Sequence, residues 1–182
     1  IDICPFCGVK FNECICANRI RRSNMIDSSI FIGAYEEGAY SEECDLILKG
    51  AIKNVYIGHV STIILGEIMK RLLKFKKEAG YRYASIREKI LDDLMSFRIL
   101  YICNETIENH KNLKEVRESS QSQDRINLAC AIKNKCSLFI VKDSSFNYKK
   151  KFTTEIVQIT DKSNQKLKDL LDEIESKQSR IN

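Results

Sequence analysis

The sequence holds a single proline, two histidines far apart, and no apolar run approaching the roughly 20 residues needed to span a bilayer. It also lacks an internal repeat and any low-complexity block. These absences argue against a membrane-spanning chain, a repeat architecture and a disordered linker, and leave a soluble globular protein. A secretory signal requires a basic start followed by an apolar stretch, whereas this chain opens on a cysteine-rich segment and then Arg19, Arg21 and Arg22. The expected location is the cytoplasm, with no membrane partner. His59 and His110 are isolated and read as structural residues rather than ligands.

What the chain does hold is 182 residues, enough for one domain of ordinary size with small additions. Net charge is +5 with 30 basic residues, an excess that suits a polyanionic partner without requiring one. The eight cysteines divide into a cluster of Cys4, Cys7, Cys14 and Cys16 and four scattered through apolar surroundings, Cys44, Cys103, Cys130 and Cys136. The scattered ones are read as small core residues. In the cluster, Cys4-Pro5-Phe6-Cys7-Gly8 forms a knuckle whose glycine lets backbone amides face thiolate sulfur, and Cys14-Ile15-Cys16 supplies two more ligands. Four thiolates suit a closed, structural Zn²⁺ site, with disulfides as the alternative. The expected organisation is a zinc-stapled segment over 1–23, a main domain over 24–160 and an amphipathic C-terminal helix over 161–182.

Apolar patterning sets the fold class. Met25 to Ile32 is an apolar run that reads either as one strand or as a short strand ending near Asp27 with a turn after it. Helical spacing follows over Tyr40 to Lys53, then a brief strand over Val55 to Gly58. Ser61 or Thr62 is the expected N-cap of a helix with the stripe Ile64, Leu65, Ile68, Met69, Leu72 and Leu73, ended by Gly80. A helix over Ala84 to Met95 leads into Phe97 to Cys103, which reads as a buried strand. Helices follow from Asn104 to about Arg117 and from Asp124 to Lys135, with a polar loop over Glu118 to Gln123. Ser137 to Val141 and Glu155 to Ile159 read as strands, and Leu167, Leu170, Leu171 and Ile174 mark the last helix. Strands separated by helices of this length predict an α/β domain, three layers α/β/α, with a mostly parallel central sheet.

Ligands in such sheets bind outside the carboxyl ends of the strands. Asp27 and Asp143 each follow an apolar strand run directly, Glu67 lies about a turn and a half into the helix after the second strand, and Asp124 heads the helix that leads to the fourth. Crowded carboxylates repel one another, so a cluster of them makes chemical sense around a cation. Oxygen ligands select hard ions such as Mg²⁺ or Mn²⁺. Taken singly, each acid also fits a plain role: a strand-end turn at Asp27, a solvated helix residue at Glu67, an N-cap at Asp124 and a turn former at Asp143.

Four segments, in order, resemble the PIN-domain family, including the toxin ribonucleases called VapC. Met25-Ile26-Asp27-Ser28-Ser29-Ile30-Phe31-Ile32 is similar to the family's first strand, whose aspartate is followed by small hydroxyl residues. Ser61-Thr62-Ile63-Ile64-Leu65-Gly66-Glu67-Ile68 is similar to its serine-to-glutamate helix. Asp124-Arg125-Ile126-Asn127-Leu128-Ala129-Cys130-Ala131 resembles the third acidic motif, and Leu138 to Phe146, with Asp143, resembles the fourth. The resemblance implies that Asp27, Glu67, Asp124 and Asp143 bind Mg²⁺ or Mn²⁺ and carry catalysis, with Ser28 and Ser145 orienting them. Two departures, Ser145 where many members have an acid and Val141 where a threonine or serine is common, leave the number of metal ions open.

The activity so implied is endoribonuclease cleavage of RNA by metal-activated water, in a toxin held by a small antitoxin or in an RNA-processing enzyme. Arg19 to Arg22 and Lys149 to Lys151 would grip the phosphate backbone. Self-association as a homodimer is expected of the family, through a surface such as the C-terminal helix, which fits packing on its own sheet equally well. The alternative is a catalytically silent PIN-like module that binds RNA or proteins through the cysteine segment.

Overall fold

A computed structural model describes residues 22–36, 38–77, 81–112, 122–142 and 152–178. Strands β1 (Ser23–Ile26), β2 (Ile57–Ser61), β3 (Arg98–Leu100), β4 (Leu138–Val141) and β5 (Glu155–Gln158) form a parallel sheet in the order β3-β2-β1-β4-β5. Helices α1 (Ser28–Tyr35), α2 (Ser41–Ile52), α3 (Thr62–Lys77), α4 (Tyr81–Leu94), α5 (Asn104–Asn112), α6 (Ser122–Lys133) and α7 (Gln165–Gln178) connect and cover it. The α/β class with a parallel central sheet, expected from the strand and helix alternation, is the class observed.

β4 is apolar throughout because helices cover both of its faces, and the second half of β1 is buried beside it. Met25, Ile26, Phe139 and Ile140 are wholly buried. Side chains alternate between the two faces along each strand. On one face Gly58 leaves room for α2: a Cβ there would stand 2.6 Å from the Phe97 ring and 2.7 Å from the Ala51 Cβ. On the other face Ser61 reaches Asn127 of α6. α7 closes the first layer, with Leu167, Leu170 and Ile174 buried, and Ile174 meets α2 beside Gly50 and Tyr56.

β2 runs over Ile57–Ser61 where Val55 to Gly58 was expected, and three further segments depart from the expectations, each for a physical reason. After β1 the chain turns into a helix at Ser28, although Ile30-Phe31-Ile32 favours a strand locally, because Asp27 caps the helix by accepting from the Ser29 N–H at 3.0 Å. The strand expected over Phe97 to Cys103 contracts to three residues at the sheet edge, where Arg98 and Ile99 are exposed. In α3, Ile64, Ile68 and Leu72 are buried while Met69 and Leu73 are exposed, a narrower stripe than expected.

Cys44, Cys130 and Cys136 are core residues, as expected. Cys103 is not: it is half-buried at the start of α5, and the Lys133 ammonium lies 2.5 Å from its sulfur. That contact, with the Thr106 hydroxyl, lowers its pKa to about 7. His59 is buried against Ser23, its ring nitrogen 3.1 Å from the hydroxyl; burial, then the Arg98 charge, hold its pKa below the ordinary value. Among the described residues no helix is long and apolar enough to cross a membrane.

Candidate active site

The strand order reverses at β1: β2 and β3 lie to one side of it, β4 and β5 to the other. The crevice between the carboxyl ends of β1 and β4 is the place where such sheets bind their ligands. Asp27 is the first residue after β1, and its N–H is bonded at 2.9 Å to the Ile140 carbonyl of β4. Sequence alternation thus brings an acid to the switch point itself.

Asp27 is fixed by α1. Its Oδ2 accepts from both the N–H of Ser29 at 3.0 Å and the hydroxyl of Ser29 at 2.6 Å. The Ser29 hydroxyl in turn accepts from the Lys142 N–H at 3.1 Å, so the end of β4 is held against the start of α1. Ser28 points the other way and donates to Glu67 Oε2 at 2.8 Å. Glu67, one turn after Ile64 on α3, is half-buried, and the charge of Asp27 acts on its carboxylate. The Arg71–Glu36 ion pair and the Tyr35–Asp93 hydrogen bond tie α1 to α3 and α4.

Burial, opposed by the Ser28 hydrogen bond and reinforced by the charge of Asp27, raises the Glu67 pKa above the ordinary carboxylate value. With the folded pKa above the unfolded one, the unfolded chain releases its proton first. Stability is therefore lost as pH rises through the carboxylate range and stays lost at neutral pH. Glu67→Gln keeps an acceptor for Ser28 without the charge. In chelator at neutral pH it is expected to melt higher than the wild type, the difference closing below about pH 4, where both states are protonated. Melting curves across that range check this; equal melting at neutral pH would show that neither burial nor the Asp27 charge penalises the ionised Glu67.

Of the four acids singled out in the sequence, the structure brings Asp27 and Glu67 together. Asp124 stands half-buried in the first turn of α6, one turn before Asn127. Asp143 and Ser145 lie outside the described residues, as do Cys4, Cys7, Cys14 and Cys16 and the basic positions 19–21 and 149–151. Among the described residues no group of three or more His, Cys, Asp or Glu side chains is placed to hold a metal ion. Two half-buried carboxylates whose charges oppose each other are nonetheless oxygen donors suited to a hard cation.

Two site residues escaped the sequence reading. Ser29 was legible in principle, since an Asp-Ser-Ser stretch after a strand is an N-cap pattern. Asn127 gave no signal, being a polar residue among the apolar positions of α6.

Fold and site together define a parallel α/β sandwich domain with acids at its switch point. Residues 25–151 match the PIN domain family, and the chain belongs to it. Among solved structures, PAE2754 from Pyrobaculum aerophilum is similar with a TM-score of 0.57 and 14% identity, covering 86% of this chain and 99% of that one. VapBC2 from Rickettsia felis, bound to a DNA fragment from its promoter, gives 0.56 and 14%, covering 75% of this chain and 98% of that one. VapBC-5 from Mycobacterium tuberculosis, a member of the VapBC family of toxin-antitoxin systems, gives 0.54 and 15%, covering 76% and 99%. At these identities the likeness is one of fold. No curated protein matches the sequence.

Proposed function

We propose that the chain is a metal-dependent endoribonuclease, and that Asp27, Glu67, Asp124 and Asp143 hold its Mg²⁺ or Mn²⁺. The observation that carries the proposal is the pairing of Asp27 with Glu67 at the switch point of a PIN domain. Bound there, a divalent cation supplies an activated water and offsets charge on the leaving oxygen. Asp27 and Glu67 contribute carboxylate donors whose mutual repulsion a cation relieves. Ser29 fixes the rotamer of Asp27, and Ser28 fixes that of Glu67. Asp124 comes from α6, and Asp143 directly follows Lys142, whose N–H is bonded to Ser29.

The substrate in this reading is RNA, whose accessible single-stranded regions proteins can grip by the backbone. The VapBC structures of similar fold support a small antitoxin as the protein partner. The proposal extends to a structural Zn²⁺ on Cys4, Cys7, Cys14 and Cys16, to a cytoplasmic location and to a homodimer. The deciding experiment is cleavage of varied RNAs by the purified chain with Mn²⁺ or Mg²⁺, with chelator, and by Asp143→Asn. Cleavage that needs the ion and is lost in the variant is expected. A wild type as inactive as the variant on every RNA would replace this reading with that of a silent binding module.

A further inference from the structure

The core holds a polar pair that the proposed chemistry does not touch. Ser61 and Asn127 are both wholly buried. The Ser61 hydroxyl accepts from the Ile64 N–H at 3.1 Å, which caps α3, and donates to Asn127 Oδ1 at 2.6 Å. With its oxygen so engaged, Asn127 presents Nδ2 to the interior, where no acceptor meets it among the described residues. An unmet buried donor costs about 1–3 kcal/mol, a cost that apolar residues at both positions would avoid. Stability alone therefore does not account for the amide.

The places of the two residues suggest what does. Ser61 begins the helix that carries Glu67 six residues later, and Asn127 lies one turn beyond Asp124 on α6. Their hydrogen bond spans 66 positions of sequence and pins the N-terminal cap of one acid-bearing helix to the second turn of the other. We propose that Asn127 is a positioning residue which, through Ser61, sets the separation of the Glu67 and Asp124 carboxylates for a divalent cation. This rests on the metal-dependent reading above. Asn127 itself touches neither the ion nor the substrate in this account.

A residue with a merely structural role would change melting and leave ion affinity alone. Mn²⁺ binding is therefore measured directly, by titration calorimetry on the folded full-length chain, beside melting curves in chelator. Asn127→Leu removes one unmet donor and leaves another, the buried Ser61 hydroxyl, so its melting is expected to stay near that of the wild type. Its Mn²⁺ affinity is expected to fall about 10–100-fold, the usual loss when a group supporting a metal ligand is removed. Ser61→Ala breaks the same bond and also uncaps α3, so its Mn²⁺ affinity is expected to fall at least as far as that of Asn127→Leu; adding Asn127→Leu to it is expected to cost nothing more, since the shared interaction is lost only once. If Asn127→Leu fails to fold, Ser61→Ala carries the comparison. A wild type that binds Mn²⁺ and variants that bind it equally well would overturn the positioning role while leaving the metal site standing. A wild type that binds no Mn²⁺ would overturn both.

Discussion

Asp27→Asn is expected to leave the fold standing and to end RNA cleavage. Asparagine caps helices as well as aspartate does, and its side-chain oxygen can accept from the Ser29 N–H and hydroxyl as Asp27 Oδ2 does. The melting temperature should therefore stay near that of the wild type. What the substitution removes is a negative charge at the carboxyl end of β1, where the proposed cation would be held. Activity is expected to fall by more than about 100-fold, a loss that misplacing a reacting group by one ångström already causes. Parallel cleavage assays and melting curves separate the two roles. An asparagine variant that cleaves like the wild type would reduce Asp27 to a helix cap.

The largest loss of stability is expected at Phe31. The side chain is fully buried and meets Phe97 edge-on, ring centroids 4.9 Å apart at 61°. Phe31→Ala leaves a cavity beneath α1 and is expected to cost about 3–5 kcal/mol. Against the roughly 5–15 kcal/mol that holds a typical domain together, that is a large share. The urea midpoint should fall steeply with an unchanged slope. Because α1 also carries Ser28 and Ser29, activity should decline at temperatures where the variant is still mostly folded. An alanine variant with an unshifted midpoint would contradict the packing described for α1.

The elements that read clearly in the sequence are those whose own side chains settle their environment. β4 is a continuous apolar run because both of its faces are covered, and α2 shows helical spacing because one of its sides meets the sheet. α1 did not read clearly: the strand preference of Ile30 and Ile32 is a weak local bias, overridden by the cap at Asp27 and by the burial of Ile30 and Phe31. β3 was overestimated because an apolar run does not reveal whether it lies at the centre or the edge of a sheet. In the site, Asp27 drew notice by its position after a strand run, Glu67 by its place in the helix after the next strand, and both by the family resemblance. The bonds that hold the site were not, because their partners are brought close only by the folded sheet.

Those bonds have a consequence for the order in which the protein is made. Ser28 reaches Glu67 across 39 positions, Ser61 reaches Asn127 across 66, and Ser29 reaches Lys142 across 113. Chains emerge from the ribosome amino end first. A nascent polypeptide that has released its first three strands thus carries Asp27 without the β4 segment that braces it. For a hydrolase of the proposed kind this acts as a delay: a fragment abandoned before Leu138 lacks a finished centre, and destructive chemistry starts only after the β4 segment has emerged.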